Sequence, residues 1–79
     1  MIDSDQIAEI AESLRRVVLS DTDNRWEQGQ ALVAEHNEDE VWKALCEYVE
    51  SKIIKHKDDQ FTGEATVWRT VLRIIKSVP

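Results

Sequence analysis

The chain has 79 residues, 42% apolar and 33% charged, with a formal net charge of −6. That much Ile, Val, Leu and Trp excludes a disordered acidic tail, and no window approaches the roughly 20 apolar residues a membrane span needs. Cys46 is the only cysteine, so an intramolecular disulfide is excluded and a reducing cytoplasm is the expected compartment.

One domain spanning 1–79 is the most this length supports. Two glycines and a single proline at the last position leave little to interrupt helices, so Asp, Asn, Ser and Thr must make the turns. The acidic opening MIDSDQ is unlike the basic start of a signal peptide. The pattern predicts an all-α bundle of four helices, at about 4–19, 23–36, 38–56 and 63–77.

The first helix opens on Asp3 as N-cap with Gln6 three residues on, and Ile2 facing Ile7 as a hydrophobic staple. Ile7, Ile10, Ala11, Leu14, Val17 and Val18 share an arc of roughly 120°, and Glu12 is placed to pair with Arg16 at i,i+4. The cluster SDTDN, residues 20–24, ends this helix and starts the second, whose inner face is Trp26, Gly29, Leu32, Val33 and His36. Gly29 in a helix interior costs about 1 kcal/mol against Ala, which predicts a close approach by a neighbouring helix.

EHNEDE, residues 35–40, makes the next junction, with Asn37 as N-cap and Glu38, Asp39 and Glu40 in the first turn of helix three. Val41, Trp42, Leu45, Cys46, Tyr48, Val49 and Ile53 form its inner face, while Ile54 projects to the polar side. Thr62 or Gly63 caps the fourth helix. There Val67, Trp68, Val71, Leu72, Ile74, Ile75 and Val78 occupy about 160° of the wheel, opposite Arg69, Arg73 and Lys76. Trp26, Trp42 and Trp68 are all expected in or beside the core, with indole nitrogens seeking polar partners. The spacing Ala65, Trp68, Val71, Ile75 resembles the closing helix of many small bacterial and phage proteins, a likeness of one helix that implies no chemistry.

No motif supports catalysis or a cofactor. His36, Cys46 and His56 lie on different elements without metal-ligand spacing, and Cys46 sits on an apolar face as an inert thiol. The two glycines are isolated, so no phosphate loop is present. A helix-turn-helix across helices two and three would point Glu38, Asp39 and Glu40 at phosphates, which disfavours direct contact with nucleic acid.

Charge is divided along the chain: residues 1–50 carry 13 acids and 4 bases, residues 51–79 carry 3 acids and 6 bases. Much of this follows from helix dipoles and attraction between an acidic front and a basic tail. The functional expectation is a non-enzymatic protein-binding module, a small acidic inhibitor or regulator of phage, plasmid or immunity type. It would occupy a basic surface of a protein or nucleic-acid-binding complex, as a nucleic-acid mimic would. Its patch is Asp21, Asp23, Glu35, Glu38, Asp39 and Glu40. Two rivals are a homo-oligomer pairing through the apolar face of the last helix, with exposed Ile54 beside it, and a weak nucleic-acid binder using Arg69, Arg73 and Lys76.

Overall fold

In the computed structural model, described for residues 3–20, 23–36, 38–58 and 63–78, only the first of the four helices opens on a side-chain cap bond. α1 spans Ser4–Leu19: the Asp3 carboxylate accepts the Asp5 N–H at 3.0 Å. It ends at Ser20, whose N–H and hydroxyl both return to carbonyls of the last turn. Ile2, and with it the staple, lies outside the described residues.

α2 spans Arg25–Glu35, starting two residues later than the sequence suggests, with Asn24 of the 20–24 cluster at the cap position. The Asn24 Oδ1 accepts from the Gln28 side chain at 2.8 Å, which ties the entering chain to the first turn. α3 spans Asp39–Lys55 with Glu38 as its cap residue; Asn37, the expected cap, lies outside the described residues. α4 spans Glu64–Ser77 and is entered through Gly63 at φ 69°, a left-handed conformation in which glycine meets no Cβ penalty.

α1 and α4 form the central pair, and each packs against both α2 and α3, which lie on opposite sides and barely touch one another. Consecutive helices are therefore not neighbours throughout, since the α2–α3 pair is not. The direction of α4 is fixed at both ends. Arg15, late in α1, grips Glu64 at the start of α4, and Trp42, early in α3, donates its indole N–H to the Ile75 carbonyl at 3.2 Å. α4 therefore runs against both. The radius of gyration is 12.0 Å, close to the ~12 Å expected of a packed chain of this length.

The core is Ile7, Ile10, Ala11 and Leu14 of α1, Val33 of α2, Val41, Leu45, Cys46 and Val49 of α3, and Trp68, Val71, Ile74 and Ile75 of α4. Leu32, Trp42, Tyr48, Ile53, Leu72 and Val78 pack around it half-buried. The close approach predicted at Gly29 is present: a Cβ there would stand 2.9 Å from Ile74 Cγ2. Trp68 is 2% exposed, edge-on to Tyr48 with centroids 6.2 Å apart, and Lys52 lies over the other ring at 5.4 Å.

Trp26 departs from expectation, being 41% exposed. It belongs to the first turn of α2, beside the seam with α4, where the other helices no longer cover it. The Glu12–Arg16 pair is also corrected. Glu12 approaches Arg15 at 4.0 Å, because the Arg15 side chain is turned toward α4 and lies between the two carboxylates.

Candidate functional site

Two surfaces of opposite charge stand out. The first is the corner where α2 ends and α3 begins. Glu35 is the last residue of α2, Glu38 caps α3, and Asp39 and Glu40 form its first turn. All four are exposed, and among the described residues no Lys or Arg is ion-paired to any of them. The α3 dipole favours Asp39 and Glu40, whose charges meet free N–H groups. The α2 dipole does the reverse to Glu35, which places a carboxylate at a carbonyl-rich end with no base in that last turn. Dipole complementation therefore suits Glu38, Asp39 and Glu40 at the start of α3 and opposes Glu35.

Asp23 is exposed but does not join them. It precedes α2, whose 11 residues separate it from the corner by about 16 Å at 1.5 Å per residue. Asp21 lies outside the described residues. Of the six acids read from the sequence, four thus gather at this corner and Asp23 stands apart from them.

The second surface is the outer side of α4. Arg69, Arg73 and Lys76 are exposed there, and with Leu72 and Ser77 they line a shallow hollow of about 510 Å³. Lys76 is drawn to Glu50 of α3 at 3.9 Å, and Ser77 accepts from the Gln30 side chain of α2 at 3.0 Å. No carboxylate is ion-paired to Arg69 or Arg73 among the described residues. Ile54, at 73% exposed, stands on the outer side of α3. The sequence reading missed Trp26 as a surface residue; its place one turn before Gly29 is the signal that it borders the α4 seam.

The titrating groups inside the fold serve packing. Burial pushes the Cys46 thiol up, which keeps it protonated and poorly nucleophilic. The hydrogen bond from Arg15 holds the Glu64 carboxyl below the usual range, against its partial desolvation. His36 and His56 occupy the C-cap positions of α2 and α3, where their backbone N–H groups return to carbonyls. Among the described residues no three of His, Cys, Asp and Glu converge as metal ligands, and no helix is long and apolar enough to cross a membrane.

No family model, curated protein or solved structure matches this chain. Its function has to be argued from its own surfaces.

Proposed function

We propose that this chain is a non-enzymatic protein-binding module of the cytoplasm, an inhibitor or regulator whose acidic α2–α3 corner occupies a basic surface of a target. The observation that carries this reading is Glu35. A carboxylate at the C-terminus of α2, next to three more across the turn, works against helix stability. Acids placed only to complement dipoles would not collect there. Four neighbouring carboxylates with no ion-paired Lys or Arg among the described residues present the kind of field that phosphates present to a phosphate-binding groove, and such fields steer encounter with a basic partner.

Homo-oligomerisation through α4 has less support. Ala65, Trp68, Val71, Ile74 and Ile75 are covered within the chain, so little of that apolar side is left for a second copy.

Affinity capture from cells that make the protein tests the proposal, comparing the native chain with a Glu35→Gln/Glu38→Gln/Asp39→Asn/Glu40→Gln variant. The native chain should retain a basic protein that is released as salt rises, and the variant should not. Equal retention by both, or retention indifferent to salt, would sink it.

A further inference from the structure

We propose that the outer face of α4, bordered by Trp26, is a second docking surface, and that its occupant is an acidic helical segment of a partner protein. The proposal is independent of the acidic corner. α2 and α3 both pack on α4, and the outward side of α4 is left open, with Arg69, Leu72, Arg73, Lys76 and Ser77 lining a shallow hollow along it. Arg69 and Arg73 are four residues apart, about 6 Å along the axis. That is the spacing of two carboxylates at i,i+4 on a helix laid beside α4, and guanidinium groups can grip carboxylates with two hydrogen bonds each.

The hollow also has apolar contacts to offer on either side of the arginines. Leu72 lines it toward α3. On the other side, α2 and α4 run in the same direction: α1 is joined to the start of α2 by a short link and to the start of α4 through Arg15 and Glu64. Gly29 lies on Ile74, and Gln30 reaches Ser77. One turn earlier on α2, Trp26 lies on the helix side that carries Gly29 toward α4 and is 41% exposed. A half-exposed Trp on the helix that flanks two arginines without an ion-paired carboxylate among the described residues is the side-chain chemistry that dominates protein-protein hot spots, and a helix laid along such a face is a recurrent way of using it.

The other occupants fit less well. Each phosphate contact contributes a salt-dependence slope of only about 0.9, so two free arginines supply little of the electrostatic affinity on which nucleic-acid binders rely. A second copy packed α4 to α4 about a twofold axis would set arginine against arginine.

The test is a titration of the isotope-labelled protein, followed by NMR, with a designed helical peptide of about four turns carrying Glu pairs at i,i+4 flanked by Leu. Peptides with Gln or Lys in place of Glu serve as controls, and a single-stranded oligothymidine is titrated in parallel. The Trp26 indole N–H and the Arg69 and Arg73 amides should shift with the Glu peptide alone. Affinity should fall at least about tenfold in Arg69→Ala/Arg73→Ala and in Trp26→Ala, and stay unchanged in the variant neutralised at Glu35, Glu38, Asp39 and Glu40. Equal binding of the Gln peptide, binding insensitive to the arginine substitutions, or no shift with the Glu peptide would overturn the proposal. The same resonances moving with the oligonucleotide instead, or with protein concentration alone, would assign the face to nucleic acid or to a second copy and overturn it too.

Discussion

Gly29 shows how one residue settles a helix pair. The Cβ of an alanine would meet Ile74 Cγ2 at 2.9 Å and Cδ1 at 3.1 Å, and Ile74 is β-branched and buried, with nowhere to turn. Overpacking of this kind costs about 1–3 kcal/mol, against a gain of about 1 kcal/mol in helix propensity. Gly29→Ala should therefore lower stability by about 1 kcal/mol in urea unfolding, and Gly29→Ala/Ile74→Ala should cost less than the two single changes added together. The Arg15–Glu64 pair acts at the same scale but across 49 positions of sequence. Both side chains are largely withdrawn from water, and the two bonds are charge-assisted, so Glu64→Gln should cost about 1–2 kcal/mol near neutral pH. Because the folded state lowers the Glu64 pKa, that stabilisation is complete above the ordinary Glu value of about 4.3 and is lost as pH falls through the folded one. Acid titration of the two proteins should show their stabilities converging below about pH 4, and a gap of constant size would show that the ion pair is not its source.

At the scale of elements, the wheel and the caps read α1 and α4 closely: α1 runs over 4–19 as expected, and α4 begins one residue late because Gly63 is its cap. Ile54 was also legible, since a lone apolar residue opposite an apolar face has no core to join. What a wheel cannot contain is which helices are neighbours. Trp26 lies one turn from Gly29 on α2 yet is 41% exposed, and only the packing of the helices reveals that. Asp23 stands apart from the acidic corner for a similar reason: the two junctions are separated by the length of α2. The three tryptophans consequently serve three purposes. Trp68 fills the core, Trp42 joins α3 to the final turn of α4, and Trp26 faces water. Trp42→Phe removes the N–H that reaches the Ile75 carbonyl and should cost about 1 kcal/mol. Trp26→Phe should stay within about 0.5 kcal/mol of the native protein, as substitutions away from such features do. A single series of denaturant midpoints checks both, and an equal loss at the two sites would mean that Trp26 is packed in solution.

For the whole molecule, the central fact is that charge is arranged at some expense to the fold. The cations near helix C-termini, Arg16, Lys52, Lys55 and Lys76, follow the dipoles, as do Asp5, Asp39 and Glu40 near N-termini. Glu35 does not, and it stands beside three like charges on a chain already at net −6. Glu35→Lys replaces an unfavourable end charge with a favourable one and relieves the repulsion across the turn. It should raise stability by roughly 0.3–1 kcal/mol at low ionic strength. Because the residue is exposed, most of that gain should vanish in about 1 M salt, where the screening length is about 3 Å. Urea unfolding of the native and Glu35→Lys chains at the two ionic strengths measures this directly. The same substitution should weaken association with a basic target. A variant that folds more tightly and binds less well is the signature of a residue kept for its partner and not for the fold. A chain destabilised by Glu35→Lys would instead show that the carboxylate holds the α2–α3 corner together, and the acidic surface would then be a by-product of folding.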